Sequence, residues 1–268
     1  MNPMMTAMRE LSGMDDLASM DSFLHRRHPL TKLLVTLVYI ASIISVPGNQ
    51  LSVLIPLLFI PAILYTIAGI PVGLCFYRLR YILPLLAAVG IWNPLLDRRP
   101  VFVLGGVAVT AGMISFLTLM LKGILTLLMS FLLMATTTID AICYAFRLLH
   151  VPEILVTQFM ITYRYIALML REAGTMTDAY RLRAPGQRGI HISAWGSFLG
   201  SLLLRSMDRA DALYGSMRLR GFTGTFRYAR TRKMDRLDMF YAAAVIAAIL
   251  FLRFFPLSQM IGHIVTGR

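Results

Sequence analysis

Residues 33–77 contain no Asp, Glu, Lys or Arg, an unbroken run of 45 positions. An ionised side chain is expensive at mid-bilayer and about 20 residues of helix cross the hydrocarbon, so a charge-free run of this length reads as two consecutive membrane spans. The turn signal Pro47-Gly48-Asn49-Gln50 divides it into spans near 31–46 and 51–70, and Gly69-Ile70-Pro71 closes the second.

The rest of the chain extends the pattern. Arg78 and Arg80 precede a third apolar interval, 81–96, which is long enough to span if its helix starts near Val72 with the arginines reaching to the interface. Asp97-Arg98-Arg99-Pro100 is a polar break, and residues 101–109, rich in Val and Gly, suit a short extended stretch. A fourth span covers 111–136; its single charge, Lys122, should face protein or water instead of lipid. A last span follows Arg230-Thr231-Arg232-Lys233 and runs from about 237 to 255, with Arg253 near its far end. Five spans result. Composition agrees, with 57% apolar and 15% charged residues against roughly 45–50% and about 25% in soluble domains. Disorder is excluded because it is apolar-poor, and a disulfide scaffold because such chains are short and Cys-dense; Cys75 and Cys143 read as buried thiols.

Charge placement orients the chain. Residues 171–236 hold 13 of the 26 Lys and Arg against 5 acids. In a soluble protein this block would point to nucleic acid, but beside membrane spans it follows the positive-inside rule and marks the cytoplasmic side. Membrane lipid is therefore an expected partner and nucleic acid is not. His25-Arg26-Arg27-His28 should lie on the same side, so the N-terminus is expected in the cytoplasm and the tail from His263 to Arg268 outside. Arg98 and Arg99 then fall on the outer side, against the statistical trend. The first 30 residues carry acids and no continuous apolar core, so no secretory signal is expected there.

Between 137 and 233 the chain reads as amphipathic helices. Thr138-Ile139-Asp140 offers N-caps for a short helix that Val151-Pro152 ends. A long helix follows, with Leu155, Phe159, Tyr163, Ile166, Leu170, Ala173, Met176 and Tyr180 in one apolar stripe, ending at Ala184-Pro185-Gly186. A second has Leu199, Leu203, Met207, Ala210, Tyr214 and Met217 at the same spacing and ends at Gly221. Each is expected to be about 30 residues, roughly 45 Å long. The fold class expected is thus an all-α integral membrane protein with about five transmembrane helices plus a cytoplasmic coupling domain of long amphipathic helices. Its parts are a cytoplasmic segment (1–30), a four-helix membrane region (31–136), coupling helices (137–233) and a final span with an external tail (234–268).

The two long helices end alike. Tyr180-Arg181-Leu182-Arg183-Ala184 closes the first and Met217-Arg218-Leu219-Arg220-Gly221 the second. Arginine in a last turn is favoured by the helix dipole alone, but the Arg-Leu-Arg-small sequence occurs twice at matching positions in a chain where charge is rare.

At these residues the chain resembles the transmembrane T component of energy-coupling factor transporters, and in detail its cobalt-type CbiQ subfamily. The likeness extends over His28-Pro29-Leu30-Thr31-Lys32, over the short helix from Ile139-Asp140 to Leu149-His150-Val151-Pro152, and over 203–211 leading into Met217 to Phe222. The resemblance implies two Ala-Arg-Gly-like motifs, Leu182-Arg183-Ala184 and Leu219-Arg220-Gly221, each docking into a groove on one of two ATP-binding cassette subunits of CbiO type. Arg181 and Arg218 would support them. It also implies a substrate-binding membrane subunit of CbiM type, with or without a CbiN-type companion, and cobalt as cargo, with nickel next and a vitamin after that. A two-fold ATPase pair offers two equivalent grooves, which one asymmetric chain fills only by carrying two similar motifs.

Other chemistry finds less support. His25 and His28 stand at a spacing a metal pair can use, but Arg26 and Arg27 between them favour a basic interfacial boundary. Asp15, Asp16 and Asp21 read as a solvated segment. No P-loop is present, so ATP hydrolysis is not expected in this chain, and neither catalytic residue, metal site nor cofactor is assigned. The 18 methionines are spread along the helices, as adaptable packing requires. A membrane-embedded enzyme would need intramembrane carboxylates or histidines, and a self-sufficient carrier would show symmetry between halves.

Overall fold

The computed structural model describes residues 6, 13, 15–48, 50–97, 99–104, 107–187, 189–224 and 234–254. Asn49, Arg98, the basic run 230–233 and the tail with His263, all used above, lie outside them, as do Arg188 and Arg227 of the basic block 171–236. The chain divides into two compact units: Ala18–Thr137 with Arg232–Arg268, and Met1–Leu17 with Thr138–Thr231.

The first of these is built on one long helix. Helix α1 (Pro29–Ile44) starts on a proline and is capped by His28, whose Nδ1 accepts the Leu30 N–H at 3.2 Å. The next apolar run is split into α2 (Leu51–Leu57) and α3 (Phe59–Ala68), because Pro61 has no N–H to offer the Leu57 carbonyl four residues back. Gly69, at φ 68°, ends α3 in the left-handed region that glycine tolerates. The same proline effect recurs after α4 (Val72–Gly90): Pro94 cannot donate to Gly90, and a short α5 (Trp92–Leu96) follows a break at Ile91. Strands β1 (Pro100–Leu104) and β2 (Val107–Thr110) form an antiparallel hairpin where the sequence suggested an extended stretch, with a register irregularity between Pro100 and Phe102.

Helix α6 (Ala111–Thr136) is the post against which α1 to α5 pack. A side chain at Gly112 would meet the Asn93 and Asp97 carbonyl oxygens at 2.4 and 2.5 Å, so only glycine lets α5 approach there. Lys32, near the start of α1, donates its Nζ to the Thr136 carbonyl at 2.6 Å, and His25 Nε2 lies 3.2 Å from the Ala135 carbonyl. Lys122 reaches from α6 to the opposite end of α1, donating to the Val46 carbonyl and to Ile44 at 3.4 Å. The two helices therefore run antiparallel and each supplies a cation to the other's exposed carbonyl end. Leu33, Val35 and Ile43 of α1, Leu54 and Leu57 of α2, and Leu125 and Leu132 of α6 are buried in this unit. Helix α10 (Arg236–Phe254) closes the unit along α1.

The second unit begins with α7 (Ile139–Leu148), capped by Thr138, whose Oγ accepts the Ala141 N–H at 3.4 Å. It ends at His150, held at φ 60°, while the Val151 N–H returns to the Phe146 carbonyl at 3.2 Å. Helix α8 (Glu153–Arg183) then packs on α7 through Cys143, Val156 and Met160. Ion pairs Arg147–Glu153 at 2.7 Å and Arg164–Asp140 at 3.0 Å fix the corner. A one-turn helix (Ile192–Ala194) leads into α9 (Trp195–Leu219).

Five described helical segments are long and apolar enough to cross a membrane: Leu51–Ala68, Leu79–Leu96, Ala111–Thr136, Glu153–Arg183 and Arg236–Phe254. The fold is that of an all-α multi-pass membrane protein carrying one small hairpin. Membership of this set differs from the spans read in the sequence. Pro29–Ile44, expected as a span, has 16 residues, whereas Glu153–Arg183, expected among the coupling helices, has an apolar stretch of sufficient length.

Candidate functional site

The matched helix ends project from the second unit. Arg183 is the last residue of α8 and Arg220 the cap residue of α9. Leu182 is 84% exposed and Leu219 92%, values that leave almost the whole of each side chain in water. Burying a leucine gains about 1.5–3 kcal/mol, so two apolar side chains held out on helix ends are a surface with something to gain from a partner. Their flanking arginines divide into two kinds. Arg181 pairs with Asp178 at 3.7 Å, and the Arg218 guanidinium lies 5.9 Å from the centre of the Tyr214 ring. Arg183 and Arg220 are exposed, and among the described residues neither has a carboxylate partner. Each presents a planar fork suited to carboxylates or backbone carbonyls.

The ends look alike in sequence but terminate differently. At α9 the Phe222 N–H bonds the Met217 carbonyl at 3.0 Å and the Gly221 N–H bonds Arg218 at 3.0 Å, a closing turn that puts Gly221 at φ 78°. At α8 the Ala184 N–H bonds Tyr180 at 3.0 Å with Ala184 at φ −125°, and Pro185 stops the helix. The left-handed residue comes two positions later, at Gly186, φ 95°. Alanine in the first copy is thus no misfit, since its φ is negative and outside the left-handed region that favours glycine.

Helices α8 and α9 run in opposite directions. Glu172 and Arg205 form an ion pair between them, and Ile154, Thr157 and Ile161 share a groove of about 280 Å³ with Ala210, Leu213 and Met217. At the far side of the pair the Tyr180 hydroxyl accepts the His191 N–H at 3.3 Å and donates to Gln187 at 3.0 Å. Opposed directions carry Arg183 and Arg220 to opposite ends, on the order of 30–40 Å apart at 1.5 Å per residue.

The expected stripes are corrected in one respect. The buried face of α8 is Val156, Met160, Ala173 and Thr177, so the stripe is covered only in part: Leu155, Phe159 and Ile166 stay exposed at 59, 51 and 42%. On α9 Leu199, Leu203, Met207 and Tyr214 are exposed as well, while Phe198, edge-on to Trp195 at 5.8 Å, is buried. The two rows do not cover each other. The expected helix lengths become 31 and 25 residues.

The basic segment before α1, read as an interfacial boundary, is engaged with the protein. Arg26 is exposed and binds Asp21 through two bonds of 2.6 Å, which hold the Asp21 carboxyl below its ordinary range. His28 is buried and Arg27 is mostly covered, its side chain 9% exposed. Arg27 stacks on Phe23 at 3.9 Å and faces Asp238 at 3.6 Å, and Asp238, wholly buried, accepts the His28 and Asp235 N–H groups at 3.3 and 3.2 Å. Sequence reasoning missed this pair; its signal was an acid standing two residues into an apolar span. Both histidine rings are engaged locally, His25 Nδ1 with Ser22 Oγ at 2.7 Å and His28 as a helix cap. Among the described residues no three His, Cys, Asp or Glu side chains converge as metal ligands.

A family model described as CbiQ, cobalt transport protein, matches residues 20–232. An uncharacterised protein of Methanocaldococcus jannaschii is 25% identical over 221 residues, 78% of this chain and 75% of that protein.

Proposed function

This chain belongs to the CbiQ family of cobalt transport proteins, and from that premise we propose that it is the transmembrane coupling subunit of an energy-coupling factor transporter. In this reading it transmits ATP-driven motion from a pair of ATP-binding cassette subunits to a substrate-binding membrane subunit, for uptake of cobalt. The observation that carries the reading is the pair of matched helix ends, with Leu182 and Leu219 exposed beside Arg183 and Arg220, which have no carboxylate partner among the described residues. One helix end is an ordinary terminus; two alike, at opposite ends of an antiparallel pair, suit a partner with two equivalent grooves. The open apolar rows on α8 and α9 suit the substrate-binding membrane subunit, because rows of this kind mark interaction surfaces. The N-terminus and residues 171–236 lie in the cytoplasm, on the argument of their positive charge.

Detergent co-purification tests the docking. Arg183→Glu or Arg220→Glu reverses a charge at the contact and should cost several kcal/mol, the scale for breaking a charged pair across an interface, about 2–5 kcal/mol. Arg209→Glu, on the helix flank, should do less. If the double variant retains the ATPase as wild type does, the docking reading fails. Uptake of cobalt against nickel by the assembled complex decides the cargo. Orientation is read by labelling from outside in a variant lacking Cys75 and Cys143: Thr266→Cys should react and Arg188→Cys should not.

A further inference from the structure

Two cations meet at the carboxyl end of α1 with no carboxylate partner among the described residues. Lys122 donates to the Ile44 and Val46 carbonyls, and Arg253, near the end of α10, donates from Nε to the Ser45 hydroxyl at 3.2 Å and from Nη2 to the Ser45 carbonyl at 3.0 Å. Both thus converge on three successive residues that close α1. A helix carboxyl end offsets about half a charge, so two full cations leave the site strongly positive.

The chain offers little to neutralise it. Among the described residues neither cation has a carboxylate partner, the run 33–77 that forms the neighbouring helices has no charge, and residues 255–268, which follow Arg253, contain no Asp or Glu. Around the cations the surface is apolar: Ile44 is 67% exposed, Leu250 42% and Phe254 77%. Lys122 and Arg253 are both only half-buried, so their remaining N–H groups are within reach of a ligand.

We propose that Lys122 and Arg253 bind the phosphodiester headgroup of an anionic phospholipid, with its acyl chains laid along Ile44, Leu250 and Phe254. The guanidinium fork has donors beyond those given to Ser45, and charge-assisted bonds to phosphate are among the strong ones. Basic positions between membrane helices bind anionic headgroups on the same logic. The apolar rim separates a lipid from free phosphate as occupant, because inorganic phosphate gains nothing from it.

The test uses the full chain in detergent, stripped of lipid and mixed with phosphatidylglycerol, phosphatidylcholine or sodium phosphate, with retained lipid counted by native mass spectrometry. Phosphatidylglycerol should be retained in preference to phosphatidylcholine, and Arg253→Gln should weaken its retention about tenfold, the factor for one charge-assisted hydrogen bond. Equal retention of the two lipids, or phosphatidylglycerol retention unchanged in Arg253→Gln, overturns the assignment. Displacement of phosphatidylglycerol by equimolar sodium phosphate overturns it in favour of a free anion site. Should the variant fail to fold, wild type still decides: rising salt must release phosphatidylglycerol and leave phosphatidylcholine retention unmoved, and a salt-independent retention of both overturns the proposal.

Discussion

The Tyr39 hydroxyl donates a 2.9 Å hydrogen bond to the Leu57 carbonyl, the one carbonyl that Pro61 leaves without its helical donor. Helix α1 thereby repairs from outside the break between α2 and α3. Tyr39 and Leu57 are both wholly buried, so no water takes the place of the phenol. Tyr39→Phe should lower thermal stability in detergent by about 1–3 kcal/mol, the cost of an unsatisfied buried acceptor. Tyr65→Phe is the comparison: its hydroxyl also donates at 2.9 Å, to Leu128, but that carbonyl sits inside α6 with a helical donor of its own. Equal losses in the two variants would refute the account.

Asp238→Ala should be more damaging. It removes the partner of Arg27, whose side chain is 9% exposed, and the acceptor of two backbone N–H groups at once. Breaking one side of a buried pair costs about 3–5 kcal/mol, so the variant should lose most of its yield in detergent or unfold about 6–20 °C earlier. Arg26→Ala, at the exposed pair with Asp21, should be close to neutral.

The two motif ends should respond in opposite ways to exchange of their small residues. Gly221→Ala places a side chain at φ 78° and should cost about 1 kcal/mol and loosen ATPase retention, whereas Ala184→Gly, at φ −125°, should leave stability and retention nearly unchanged. Melting and co-purification of both variants check this.

Cys143 lies in the α7–α8 core, and burial pushes its thiol up to about 11. A maleimide that attacks thiolate should therefore leave it unmodified in the folded protein at pH 7.5 and modify it on unfolding. A folded-state value above the unfolded one contributes stability that is present below the unfolded value and is lost as pH rises through the folded one. The melting temperature should accordingly fall between about pH 9 and 11, and Cys143→Ala should flatten that decline.

Gly112→Ala puts a methyl group onto the Asn93 and Asp97 carbonyls, which belong to backbone and cannot step aside. It should destabilise the α5–α6 contact by about 1–3 kcal/mol, the range for overpacking. Gly123→Ala meets only the end of the Leu86 side chain and should cost less; thermal melts of the two variants rank them.

Much of the helical layout was legible because charge is so rare here: the turn at Pro47, the break at Asp97 and the span 111–136 follow from where ionised groups are missing. The likeness of the two helix ends was also visible, since it is a repeat of letters. How each end closes was not, because a left-handed residue at 221 and one of negative φ at 184 depend on the hydrogen bonds that follow. Burial on α8 was misjudged for a related reason. A stripe taken from apolar spacing assumes one covering surface, whereas α7 covers Val156 and Met160 and leaves Leu155 and Phe159 open. The partners of Arg27, Lys32 and Lys122 lie 211, 104 and 76 positions away in sequence, beyond the reach of any local pattern.

The crossed lysines between α1 and α6 set a vertical register. Lys32 and Lys122 grip carbonyls at two heights, separated by 14 positions of α6 or about 21 Å. A slip by a single residue, about 1.5 Å, would break both grips together, and each is a charged hydrogen bond worth about 1.5–3 kcal/mol. Shear between these two helices is therefore opposed at both heights at once, while tilting them as one body costs neither bond.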